Sequence, residues 1–173
     1  LHFLRSALGT QTTPPGQLLV AVAVLMTTVV MGPVLQEANR AALQPYLEGH
    51  LQQAEAYKEA LRPFREFMMA NTADRDLTLF TRLGRVDAAT IEDVPTLTLV
   101  SAFVTSELRA AFQMGFVLYL PFLVVDIVVA SVLMSLGMFM LPPPMVSLPF
   151  KLLLFVLADG WTLVVQNLVT SFR

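Results

Sequence analysis

Hydrophobic and polar positions divide the 173-residue chain into three stretches. No Asp, Glu, Lys or Arg falls between Arg5 and Glu37. Residues 37–93 then hold 17 of the 24 charged residues, and beyond them only Glu107, Arg109, Asp126, Lys151, Asp159 and Arg173 remain. This apolar, polar, apolar order predicts segments over 1–36, 37–93 and 94–173. In the first, "PPGQLLVAVAVLMTTVVMGPVLQ" opens on a Pro-Pro-Gly turn and predicts a helix from about Gln17 to Val34, with Pro33 near its end. About 18 residues at 1.5 Å each reach roughly 27 Å, enough to cross the ~30 Å apolar layer of a bilayer once.

The polar stretch predicts short amphipathic helices in an extramembrane domain. One contains "LRPFREFMMAN", where Pro63 suits a helix first turn. Another is "DRDLTLFTRLG", with acidic residues at its start and Gly84 as its stop. The last stretch carries more information. "AAFQMGFVLYLPFLVVDIVVASVLMSLGMFML" runs from Ala110 to Leu141 without a turn signal. As one straight helix it would measure about 48 Å, so it must break, tilt or leave the bilayer. Pro121 is the natural break, because a proline removes one backbone hydrogen bond and crowds the preceding turn. A second apolar helix, from about Met145 to Thr170, returns in the opposite direction. The resulting hairpin has the tip "GMFMLPPPM", residues 137–145, with Pro142, Pro143 and Pro144 turning the chain.

Composition strengthens the membrane reading: 55% of residues are hydrophobic, 14% are charged, and the mean hydropathy is +0.66. The predicted fold class is an all-α membrane protein of apolar helical hairpins with a small helical extramembrane domain. A net charge of −2 with dispersed basic residues leaves no footprint for nucleic acid. Without cysteine there is no disulfide, thiol nucleophile or thiolate metal site, and His2 and His50 lie in different contexts. No metal, cofactor or catalytic residue is expected. The opening "LHFLRSALG" reads as the tail of an apolar segment, which suggests an N-terminal part ahead of Leu1.

A charge within an apolar helix costs about 2.5–3.5 kcal/mol on insertion scales, so such residues pair or face a wet interior. Arg109 is two residues from Glu107 and cannot share its helix face. Lys151 is therefore the better partner for Glu107, within a subunit or between subunits; the plainer alternative has Lys151 snorkel to the headgroups. For Asp126 and Asp159 the default is a structural polar role, and Trp161 beside Asp159 suits an interfacial anchor. A pair of aspartates sharing a proton would suit an intramembrane protease, but the GxGD motif of that chemistry is missing. At the tip, Met138, Phe139 and Met140 form a soft apolar cluster that can conform to irregular surfaces. Several such tips on one axis would make a plug against water and ions, and hydrophobic constrictions gate by dewetting. Taken alone, the cluster reads better as a loop with incidental methionines.

The succession "FLRSALGTQTTPPGQ", "TSELRAAFQMGF", "LPFLVVDIVVASVLMSLGM" and "LPPPMVSLPFKLLLFVLADGW" strongly resembles the FliP family of the flagellar export gate. The relatives of that family in virulence secretion are called SctR. The resemblance covers nearly the whole chain. It implies a pore-forming subunit of the type III export gate in the bacterial inner membrane, within the flagellar basal body. The partners it implies are further copies of the chain (a pentamer), FliQ, FliR, FlhB, FlhA and unfolded export substrates. It further implies a gasket at Met138, Phe139 and Met140, an inter-subunit salt bridge between Glu107 and Lys151, and a periplasmic 37–93 segment. Phe139 departs from the three consecutive methionines of the family, and Gly16 stands where Asn is common. The alternatives are a secondary transporter with Asp126 or Asp159 as proton sites, and a virulence-type gate subunit.

Overall fold

A computed structural model describes residues 1–10, 14–87, 90 and 93–172, so part of the "GTQTTPP" block lies outside the described residues. Eight α-helices and a π-helical segment follow in order, and no strand occurs among the described residues. They are α1 (His2–Ala7), α2 (Gly16–Ala38), the π-helical segment (Asn39–Leu43), α3 (Gln44–Leu47), α4 (Gln53–Ala70), α5 (Asp74–Leu83), α6 (Thr96–Ser135), α7 (Pro143–Leu157) and α8 (Gly160–Thr170). Two of these stretches are long and apolar enough to cross a membrane, Gly16–Leu47 and Thr96–Ser135, and α7 with α8 makes a third if that bent pair is one span. The all-α, membrane-spanning class expected from the sequence is the class observed.

By contacts the chain forms two compact units, Leu1–Met26 with Ala111–Ser171, and Thr27–Ala110 with Phe172. The first, the apolar unit, closes around Leu4, Ala7, Leu8, Phe122, Phe155 and Val164. Here α1 supplies Leu4 and Ala7 from one helix face, and Leu8, which caps its end, continues that face. Phe3 beside them packs 4.8 Å from Phe112, ring to ring. That approach requires Gly115: a Cβ there would stand 2.7 Å from Phe3 Cβ. In lipid, close packing of this kind carries the association, since apolar tails offer no hydrophobic drive between helices.

The second, the polar unit, holds Val94, Leu99 and Ala102 buried on and before the start of α6. Phe67 of α4 stacks with Phe172 and meets Phe103 edge-on. Two hydrogen bonds from Arg65, to Thr96 Oγ1 at 2.6 Å and to the Val94 carbonyl at 2.7 Å, fasten α4 to the same place.

Three local expectations differ from what is observed. α6 runs through Pro121 as one 40-residue helix. A proline removes a single backbone bond, and in an apolar setting any wider break would leave more polar groups unsatisfied. At about 60 Å the helix is about twice as long as the ~30 Å apolar layer of a bilayer, and its first 15 residues belong to the polar unit. Pro63 is interior to α4 rather than in its first turn, because "QAEAYKEAL" upstream is built of strong helix formers and starts the helix at Gln53. The returning helix is two helices, α7 and α8, bent by 64°. Asp159 takes the left-handed conformation at the joint (φ +48°), and Gly160 after it has no room for a side chain, because a Cβ would collide with the Phe155 ring.

Helix ends explain the tip. Gly137 at φ +72° closes α6 with two backward bonds, Met138 N–H to Leu133 C=O at 2.9 Å and Gly137 N–H to Met134 C=O at 3.0 Å. This is the Schellman closure, which glycine makes without strain. α5 ends the same way, with Val86 N–H to Thr81 C=O at 3.0 Å and Arg85 N–H to Arg82 C=O at 3.2 Å. There the left-handed residue is Arg85 (φ +49°), one position beyond the expected Gly84 stop. Gly84 is confined for another reason: a Cβ would lie 3.1 Å from the Phe80 carbonyl oxygen.

Candidate functional site: a buried clasp beneath an exposed apolar tip

The two helices flanking the tip are joined by a polar clasp. Lys151 Nζ lies 2.7 Å from Asp126 Oδ2, and Ser147 Oγ donates to the other carboxylate oxygen at 2.5 Å. Ser147 and Lys151 are four apart on α7 and therefore share a face, which Asp126 meets from α6. Lys151 is 3% exposed and Asp126 23%. Each carboxylate oxygen has its own donor, and both bonds are charge-assisted, which satisfies an ion that apolar surroundings would otherwise penalise. α1 ends against the same place. Gly9, at φ +76°, brings its backbone so near that a Cβ would stand 3.5 Å from Lys151 Nζ. Ser147 is fully enclosed, with its hydroxyl between Asp126 Oδ1 and the Pro144 carbonyl oxygen at 3.2 Å, an arrangement that ties α7 to α6.

The sequence places Asp126 and Lys151 among the candidate residues but not as partners of each other. Within the chain Lys151 is thus paired and buried. Glu107, half-buried on α6, has a carboxylate without a hydrogen bond or ion pair among the described residues. Asp159 is exposed, and its side chain likewise has no partner among the described residues. Ser147 and Gly9 carry no charge and were not singled out in the sequence; the i, i+4 spacing of Ser147 to a lysine on an apolar helix is the signal that would have found the first.

A second buried pair belongs to the polar unit. Arg109 donates to Asp76 Oδ1 at 2.6 Å, with Asp76 1% exposed and Arg109 34%. Asp76 Oδ2 is buried without a partner among the described residues. Beside it the Ala73 N–H, which opens α5, donates to Ser106 Oγ at 2.9 Å. Elsewhere in this unit Arg62 bridges Glu59 and Glu66 on the exposed face of α4, with Glu37 at 3.7 Å. Hydrogen bonds from Arg62 to both α4 glutamates hold its guanidinium above its ordinary range, so it stays charged at every working pH.

Between Gly137 and α7 the tip is bare. Met138 and Phe139 are exposed, and Met140 is 95% exposed. Pro142 stands just before α7, and Pro143 and Pro144 lie in its first turn, so these prolines start a helix as well as turn the chain. No group of three His, Cys, Asp or Glu that could hold a metal occurs among the described residues.

Comparison with known proteins is consistent along the whole length. The FliP family model matches residues 1–168. The flagellar biosynthetic protein FliP of Bacillus subtilis is 49% identical over 173 residues, covering 99% of this chain and 78% of that protein. Its namesake from Cereibacter sphaeroides is 50% identical over 99% of this chain and 58% of its own length. That of Pectobacterium carotovorum is 49% identical over 99% and 67%. The chain thus spans a little over half to about three quarters of these relatives.

Proposed function

From the premise that this chain belongs to the FliP family, we propose that it is a pore-forming subunit of the flagellar type III export gate in the bacterial inner membrane. In this reading several copies, five by the family resemblance, surround a path for unfolded flagellar proteins, with FliQ, FliR, FlhB and FlhA alongside. The chain is a structural and transport component and performs no chemistry of its own. One observation carries the proposal: an exposed Met-Phe-Met tip, pinned at both ends by Gly137 and Pro142 and supported by the Asp126–Lys151–Ser147 clasp between its two flanking helices. A monomer in water gains nothing from that surface, whereas a ring of tips gives a pliable apolar seal. Replacing Met138 and Met140 by Ala is expected to leak small ions while protein export survives, read as ion conductance of cells expressing the variant. An unchanged seal would sink the gasket.

Glu107 is the second element. We assign its unpaired carboxylate to Lys151 of a neighbouring copy, whose ammonium has three N–H donors and gives one to Asp126 within its own chain. The test belongs on the glutamate side, because any change of Lys151 also strands Asp126. Glu107→Gln should reduce ring assembly in native mass spectrometry, and rings formed at the wild-type level would refute the pairing. The transporter alternative loses ground on the same geometry, since both oxygens of Asp126 are already taken by Lys151 and Ser147.

A further inference from the structure

The last turns of the first apolar span take an uncommon path. After α2 the backbone widens into the π-helical segment Asn39–Leu43, a conformation rare in proteins and frequent at functional sites. α4 packs against that segment, and alanines line the contact, Ala38 and Ala42 on one side and Ala56 and Ala60 on the other. Their methyl groups are too short to fill the space between the helices. They leave a groove of about 310 Å³ walled by Leu35 and Leu43, with Asn39 and Tyr46 as its polar side chains. Water entering it finds few partners, so an apolar guest is the better filling.

The position of the groove along the chain selects the guest. The stretch Gly16–Leu47 is apolar and long enough to cross a membrane, and its exposed Val20, Leu25 and Val29 belong in lipid. About twenty residues from Gly16 use up the ~30 Å apolar thickness and end at Leu35, where the groove begins. Glu37 follows as the first charge since Arg5. Met31, Leu35 and Ala38 fall on one helix face, so the groove prolongs a face of the span to the depth where acyl chains meet headgroups. Exposed Tyr46 and Tyr57 suit that depth, where amphipathic rings gather. Arg40, in the π-helical segment itself, is exposed and makes no hydrogen bond or ion pair among the described residues. A second copy would have to bring side chains at the fixed spacing of a regular helix into a recess cut by an irregular one, whereas an acyl chain enters singly and bends to fit.

We propose that the groove holds one acyl chain of a membrane phospholipid, with Arg40 as the partner of its phosphate. At ~30 Å³ for a group the size of water or a methylene, 310 Å³ takes roughly ten carbons of chain. The ion pair between Glu37 of α2 and Arg62 of α4, at 3.7 Å, ties the two walls together. The inference needs only the membrane-spanning class of the fold and goes beyond the export-gate reading.

The test uses the full-length protein in vesicles of phosphatidylethanolamine and phosphatidylglycerol that contain a phospholipid with a photoreactive diazirine in its acyl chain. After illumination, peptide mass spectrometry should find the label on Leu35, Leu43 and Ala56 roughly tenfold above that on exposed Val20 and Leu25 of the same span. Ala56→Phe fills the groove and should remove the excess, with helix content by circular dichroism unchanged. Arg40→Gln leaves the cavity intact and should remove part of the excess without moving it; were Ala56→Phe to misfold, this variant and the wild-type pattern decide. Equal labelling along the span, as for lipid that merely bathes it, overturns the proposal, and so does an excess that survives either folded variant. A photo-crosslinking residue at Leu43 that captures a second copy in place of lipid overturns it as well. Failure of the export-gate reading would show instead as absent rings in native mass spectrometry, with the lipid label in place.

Discussion

The two buried ion pairs are built in opposite senses. In the apolar unit the cation is enclosed and the anion partly open: Lys151 is 3% exposed and Asp126 23%. In the polar unit the anion is enclosed and the cation partly open: Asp76 is 1% exposed and Arg109 34%. The chemistry of the side chains accounts for the difference. A lysine has one compact charge on an apolar stem that helices can wrap, and Asp126 with Ser147 meets it at close range. An arginine presents a broad fork that can reach a buried carboxylate and keep its outer edge at the surface. The lesson concerns vulnerability: in each pair, the damaging loss is that of the more open member, because it strands an enclosed charge.

Arg109→Met gives the largest expected effect. It leaves Asp76 enclosed with neither oxygen satisfied, and about 3–5 kcal/mol of stability should vanish, measured by denaturant unfolding of the purified protein in detergent. Asp76→Ala should cost less, because Arg109 can turn to water. If the order were reversed, the rule of the stranded charge would fail. Next comes Asp126→Ala, which abandons Lys151 beneath the tip and should approach the same magnitude, with Asp126/Lys151→Ala/Met together recovering part of the loss. Ser147→Ala removes one charge-assisted bond and should cost about 1.5–3 kcal/mol by the same measurement. A smaller cost would mean that Lys151 alone holds the carboxylate. At the bottom of the scale, Arg62→Gln in the exposed triad of α4 should leave the melting temperature unchanged within error, since solvent and salt screen such pairs. A clear drop there would show that burial is not what separates the pairs.

Much of this architecture is legible in the sequence because burial in lipid and exclusion of charge are properties of composition. The empty interval between Arg5 and Glu37 fixes α2, and the run before Gly137 fixes the end of α6. From sequence Gly137 reads only as the first residue of the tip, inside a run without a turn signal to Leu141, and its positive φ shows it to be the stop itself. What escaped depends on partners far apart in sequence. Nothing local says that Lys151 meets Asp126, 25 residues earlier, and Glu107 has an equally good claim as read from charge alone. Nothing local says that Asp76 meets Arg109, 33 residues on. The continuity of α6 through Pro121 escaped for the opposite reason. A local rule was obeyed too literally where the flanking helix could absorb one lost bond. The joint at Asp159 was hidden in plain sight: Asp-Gly is a turn signal, and a long apolar flank masked it.

That joint also sets a reach. Fifteen residues of α7 and eleven of α8 would extend roughly 39 Å as one rod at 1.5 Å per residue. Folded by 64°, the same two rods of about 22 and 16 Å put their outer ends only about 33 Å apart. This nearly equals the ~30 Å apolar thickness that a straight pair would overshoot. A single hydrogen at the α-carbon of Gly160, in the one place where the Phe155 ring allows nothing larger, thereby trims a helix pair to the width of the layer it would cross.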